Sequence, residues 1–223
     1  MCGLAPVKAA FKRVWETSNL IVSMNAVIVW RQWSLDETCQ PQTKGLRINQ
    51  NPFSNPGLDC VQGMLPMVSV TESSGGLEVV PRRHRKYAKA AYLSRYPYMA
   101  HHGDWCPLEA TDPMQSDGAL LHAFGGDLVL WDLHNVHDGL VSTVVTTATV
   151  SHPELAWISI TVAMTPRALA GNKVQQLRRH GFAAGELFNH CPHEAATILG
   201  IIKHKLMWAC ARINLSEAQK ALP

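Results

Sequence analysis

GGLEVVP, residues 75–81, and GGDLVLWD, residues 125–132, share one construction: a glycine pair, then a short run of β-branched, aromatic and apolar residues. Three further runs have the same character. They are GLRINQ (45–50), LDCVQGMLPMVSVT (58–71) after an Asn55-Pro56-Gly57 turn, and LAWISITVAM (155–164). Short strands at this spacing, punctuated by Gly and Pro, predict an antiparallel sandwich or jelly roll rather than a parallel sheet. Within GLRINQ the alternation places Leu46 and Ile48 on one face and Arg47 and Asn49 on the other.

Around these strands, helical spacing of Val7, Phe11, Val14 and Trp15 after Pro6 predicts an opening helix that ends near Thr17. LIVSM (20–24) and VIVWRQW (27–33) read as a hairpin meeting at Asn25-Ala26. Further helices are predicted near residues 86–93, 168–180 and 194–205, packed outside the strands.

The 223 residues are 47% hydrophobic and 17% charged, with 20 Lys and Arg against 17 Asp and Glu, which describes one globular domain over residues 1–223. A net charge of +3 gives no reason to expect nucleic acid or an anionic membrane as partner. The six cysteines form no CxxC pair and no secretory leader precedes them, so reduced thiols in the cytoplasm are expected. The apolar run 20–30 is too short to span a bilayer, for which about 20 residues are needed.

GGLEVVP and GDLVLWDLHNVHDG (126–139) together resemble the phytanoyl-CoA dioxygenase-like family of iron(II)- and 2-oxoglutarate-dependent oxygenases, in particular its fungal natural-product branch. The resemblance extends in the family's order through NLIVSMNAVIVWRQW (19–33), QNPFSNPGLDCVQG (50–63), VAMTPRALA (162–170) and FNHCPHEA (188–195), from about Pro6 to Ala195. It implies a mainly β, double-stranded β-helix (cupin-like jelly roll) with flanking α-helices, and a chain that lacks the family's usual N-terminal extension.

The resemblance also locates a site. The family's distal iron ligand falls on His137, but its His-x-Asp pair falls on Arg47 and Asn49. A guanidinium has no lone pair to give a metal, and an amide offers only a neutral carbonyl. The family's arginine for the far carboxylate of 2-oxoglutarate falls on Trp157. Neither Fe(II) nor 2-oxoglutarate is therefore expected to bind, and the triad positions Arg47, Asn49 and His137 are expected to be degenerate.

Three functions follow. The first is a pseudo-oxygenase serving as accessory subunit of an active homologue in secondary-metabolite biosynthesis, as a heterodimer or as a homodimer. The second is a metal-independent isomerase, cyclase or dehydratase that takes a small molecule in the old cavity, with Arg47 orienting an anion and His137 or Asp59 as acid or base. The third is an active oxygenase with an atypical metal site, in which Asp59 supplies the carboxylate.

Blander readings stand beside these. Arg47 fills a dead site as an ion-pair partner, with Asp59 proposed opposite it. His134, three residues from His137 along one strand, points to the other face. RRHRK (82–86) is a solvated basic turn or a contact for an acidic group, and HCPH (190–193) is structural rather than a zinc fragment. Trp105, Trp131, Trp157 and the stretch 64–67 line an apolar cavity or form plain core, and Phe11 and Trp15 are candidate partner contacts.

Overall fold

A computed structural model describes residues 3–23, 27–31, 33, 36–143, 155–184 and 190–194. In chain order the elements are α1 (Ala5–Trp15), β1 (Leu20–Val22), β2 (Val27–Arg31), β3 (Arg47–Ile48), β4 (Val61–Pro66), β5 (Gly76–Val79), α2 (Lys86–Arg95), β6 (Cys106–Pro107), β7 (Ala119–Leu120), β8 (Val129–Asp132), β9 (His137–Leu140), β10 (Leu155–Pro166) and α3 (Asn172–Ala184). They fall into two compact units, one of residues 1–26, 59–62 and 162–223 and one of residues 27–58 and 63–161. No helix among the described residues is long and apolar enough to cross a membrane.

The larger unit contains two antiparallel sheets. In the first, β2 pairs with β10, which neighbours β4, which neighbours β8; in the second the order is β6-β3-β9-β5-β7. Apart from β6 and β7, which stay with β5 in the second sheet, successive strands from β2 onward change sheet: β2 lies in the first, β3 in the second, β4 in the first, β5 in the second, β8 in the first, β9 in the second and β10 in the first. A chain that alternates in this way winds a double-stranded β-helix, the jelly roll, with antiparallel neighbours throughout. The fold is mainly β with flanking helices.

Among the described residues, two apolar layers pack against the second sheet of this unit. Between the sheets lie Met64, Val70, Leu77 and Trp157, with Ile28, Trp30, Val79, Val129 and Trp131 packed against them. Outside the second sheet, Leu46, Ile48 and Val136 meet Tyr92 of α2 together with Tyr96, Met99, Cys106 and Met114. Leu46 and Ile48 thus face α2, and strand alternation turns Arg47 and Asn49 toward the other side of the sheet. Gly75 closes the turn before β5 at φ +64°, and a Cβ there would lie 2.3 Å from the Leu140 carbonyl oxygen, so both backbone sign and space require glycine.

In the smaller unit α1 begins with proline in its first turn, buries Val7 and Phe11, and ends at Glu16 in the left-handed region. The Trp15 indole donates to the Met164 carbonyl at 2.8 Å. The three buried residues of β1 pair with Met164, Thr165 and Pro166 of β10.

Three sequence expectations change here. LIVSM and VIVWRQW are not the two arms of a hairpin: β1 pairs with residues 164–166 of β10 and β2 with residues 155–160, so each uses β10 as its partner. The proposed turn at Asn25-Ala26 lies outside the described residues, as does the helix expected at 194–205. Phe11 is fully buried, which makes it core rather than a partner contact.

Candidate functional site

The first two positions to consider are joined by strand register. Arg47 of β3 is the direct antiparallel partner of His137 of β9. Asn49 follows, its backbone N–H held by the Leu133 carbonyl at 3.1 Å, and its side-chain nitrogen lies 3.0 Å from His137 Nε2. On the other side of the ring, His137 Nδ1 is 2.8 Å from the Asn135 carbonyl oxygen.

A carbonyl oxygen can only accept, so His137 carries its proton on Nδ1 and donates it there. Nε2 is then the acceptor and takes the Asn49 amide proton. This is a neutral histidine with both nitrogens engaged. Asn49 and His137 are 5% and 3% exposed, so the arrangement is dry and the pairing satisfies groups that would otherwise be costly to bury. Trp131 closes over the ring edge-on, with centroids 5.6 Å apart.

Arg47 turns its guanidinium to Asp138, the residue after its register partner, and donates to the Gly45 carbonyl at 3.3 Å. Asp138 also accepts from the Gly45 backbone N–H at 2.7 Å. Asp138 is the carboxylate that neutralises Arg47. Asp59, proposed for that place, belongs to the smaller unit, where its carbonyl accepts from the Thr165 hydroxyl. Asp138 stands directly across from Glu78 in the β5–β9 ladder, and burial first, then the charge of Asp138, raises the Glu78 carboxyl above its ordinary range.

Iron does not fit this set. The single nitrogen of His137 that could face a metal is hydrogen-bonded to Asn49, Asn49 presents its NH₂ rather than its oxygen to the ring, and Arg47 brings a cation without lone pairs. Trp157, the residue that the resemblance aligns with an arginine for 2-oxoglutarate, offers no cation for a carboxylate. Trp157 is 2% exposed in the inter-sheet cluster, edge-on to Trp30 at 4.6 Å between centroids. Trp157, Trp131 and Met64 belong to the core between the sheets rather than to the wall of an apolar cavity, whereas Trp105 and Met67 are exposed.

His134 does not share a strand with His137, because a turn at Leu133 and His134 separates β8 from β9. It centres a second polar group. Its Nε2 donates to the Asn55 carbonyl at 2.7 Å, with the Gln50 side-chain nitrogen 3.0 Å away, and its Nδ1 lies 2.8 Å from Asp132 Oδ1 and 2.9 Å from Lys89 Nζ. Burial pushes the Asp132 carboxyl up, but hydrogen bonds from the His134 ring and backbone, with the charges of His134 and Lys89, outweigh it and hold the group below its usual range. A small cleft bounded by Ile48, Lys89, Tyr92, Met114 and Val136 reaches this histidine.

Sequence reading missed Asp138, Asp132, Lys89 and Gln50. Asp138 immediately follows the singled-out histidine, yet only the β3–β9 register brings it to Arg47. Lys89 reaches the site from α2, a helix whose sequence gives no sign of which face meets the sheet. The RRHRK turn is exposed and leads into α2, with Arg83 paired to Asp117 at 2.8 Å, as a solvated basic turn would be.

No protein-family model and no curated protein sequence matches the chain. Among solved structures it is similar to the non-heme alpha-ketoglutarate-dependent epimerase SnoN from nogalamycin biosynthesis, at 13% identity and a TM-score of 0.47 over 74% of this chain and 54% of that one. It is similar also to EctD from S. alaskensis with 2-oxoglutarate and 5-hydroxyectoine, at 9% identity and 0.48 over 75% and 51%. A third is HygX from Streptomyces hygroscopicus with nickel and 2-oxoglutarate bound, at 8% identity and 0.34 over 73% and 66%. The chain spans about half the length of the first two.

Proposed function

We propose that this protein is a degenerate relative of the phytanoyl-CoA dioxygenase-like oxygenases that no longer activates oxygen and acts as an accessory subunit for an active homologue in the cytoplasm, within a biosynthetic pathway. The observation that carries the reading is the Asn49 amide on His137 Nε2, with Nδ1 committed to the Asn135 carbonyl. A histidine so held is a structural group. The Arg47–Asp138 pair beside it supplies internal charge balance where the family places a metal ligand.

The direct test is loading with ferrous iron under anaerobic conditions, followed by 2-oxoglutarate and oxygen. The expected result is less than one iron per chain and no succinate. One iron per chain with succinate formed would establish the atypical oxygenase instead. The triple variant Arg47→His, Asn49→Asp, Asp138→Asn is expected to gain divalent-metal affinity by at least about tenfold, because it restores two ligands and removes the carboxylate that Arg47 neutralised. Calorimetry that finds no gain in a folded triple variant would mean that the family's ligand positions do not fall on these residues.

Partnership has its own test. Co-expression with an intact homologue is expected to give a complex that survives gel filtration at micromolar concentration, since a specific interface buries at least about 1,000 Å² in total. A monodisperse monomer that leaves the homologue's rate and solubility unchanged would remove the subunit role.

One observation favours a second reading, a metal-independent enzyme. The His134 Nδ1 position lies near an ammonium and a carboxylate, so a proton there can be shared with Lys89 or Asp132, and a small cleft walled in part by Lys89 and Tyr92 of α2 reaches this histidine. His134, rather than His137 or Asp59, is the acid–base group on this reading.

A further inference from the structure

The sequence Cys191-Pro192-His193-Glu194 forms a tight turn in the smaller unit, closed by the Glu194 N–H donating to the Cys191 carbonyl at 3.0 Å. Proline in its second position presets the backbone for such a turn and lowers the entropy lost on forming it. The turn gathers three metal-binding side chains: the Cys191 thiol, a His193 ring nitrogen and a Glu194 carboxylate oxygen all lie within 4.8 Å of one another.

Both ends of the turn are fastened. Before it, the Cys60 thiol donates to the His190 carbonyl at 3.2 Å. At its end, Arg178 of α3 donates to the Glu194 carbonyl at 3.1 Å. Cys60 and Arg178 are 0% and 1% exposed, so these anchors belong to the interior of the unit and hold the turn in place before any ligand arrives. Cys191 is itself 1% exposed, while His193 and Glu194 are half-buried and reach the surface.

We infer that Cys191, His193 and Glu194 form a divalent transition-metal site, best matched to zinc, with a fourth coordination position open. Sulfur, nitrogen and oxygen donors from one turn suit a borderline-soft ion that accepts all three, whereas calcium and magnesium select oxygen alone. Zinc bonds of about 2.0–2.3 Å in tetrahedral geometry put ligand atoms about 3.3–3.8 Å apart, so the present spacing needs a contraction of about 1 Å, within reach of side-chain rotation. Charge is balanced: one thiolate and one carboxylate neutralise the dication, and the Cys191 proton leaves to solvent on binding. The site is separate from the Arg47, Asn49 and His137 set and does not depend on the function proposed above.

The experiment uses the full chain, stripped with chelator and titrated with cobalt(II), then zinc. One equivalent of cobalt is expected to produce a thiolate-to-metal charge-transfer band and tetrahedral d–d absorption, both abolished when zinc displaces it. Cys191→Ser is expected to remove the charge-transfer band, His193→Ala and Glu194→Gln to weaken binding at least about tenfold, and Cys39→Ser, which alters a different thiol, to leave the spectrum as it was. No band at stoichiometric cobalt, a band retained in Cys191→Ser or lost in Cys39→Ser, or unchanged affinity in Glu194→Gln would overturn the assignment. Glu194→Gln keeps the size of the side chain and its backbone contact, so it decides the matter if Cys191→Ser does not fold.

Discussion

Trp157→Arg, which would place an arginine where the sequence resemblance expects one for a carboxylate, is expected to unfold the protein. Trp157 sits at 2% exposure among Met64, Val70 and Leu77, with the Trp30 ring against it. Truncating a buried tryptophan costs about 3–5 kcal/mol through lost transfer energy and the space left behind. A guanidinium in the same place adds the cost of a buried charge without a carboxylate in that cluster, several kcal/mol more. The sum rivals the whole stability of an ordinary domain, about 5–15 kcal/mol. Trp157→Phe is the control: the Trp157 indole N–H has no hydrogen-bond partner among the described residues, so phenylalanine removes an unsatisfied donor while giving up volume, at about 1–2 kcal/mol. Circular dichroism melts of the two variants check the contrast. A folded, soluble Trp157→Arg protein with a midpoint near that of Trp157→Phe would mean that water or a ligand reaches the space between the sheets.

The same tryptophan marks what the sequence could reveal. Strands β5, β8 and β10 were legible because glycine pairs, β-branched runs and the closing prolines act locally, on the backbone of the residues that carry them. Helix α1 was legible from apolar spacing for the same reason. What was not legible depends on which strand lies beside which. LIVSM and VIVWRQW look like hairpin arms because a polar break between two apolar runs is what a turn leaves in sequence, and nothing local says that each pairs with β10 instead. Whether Trp157 lines a hollow or fills it is decided by Trp30 and Met64, which arrive from other strands. Likewise the carboxylate opposite Arg47 could be named only once β3 and β9 were in register, and Asp138 then displaced Asp59.

Removing that arginine gives the other large effect. Arg47→Ala is expected to destabilise the protein by about 3 kcal/mol, in the lower part of the range for breaking a buried ion pair, because the Arg47 side chain keeps 19% of its surface in water while Asp138 keeps only 6%. The loss comes from the partner left behind. Asp138 would retain the Gly45 N–H as a donor but would face Glu78 across the ladder with its ion-pair partner gone, two carboxylates on directly paired residues. Neutralising the survivor should therefore restore most of what is lost. Arg47→Ala with Asp138→Asn is expected to regain about 1–2 kcal/mol over Arg47→Ala alone, a positive coupling in the double-mutant cycle. Urea titration of the four proteins measures it. Additive losses, with no recovery in the double variant, would mean that Arg47 is held for something other than Asp138, and an anion bound beside Arg47 would become the better account of why a guanidinium stands where the sequence resemblance expects a histidine.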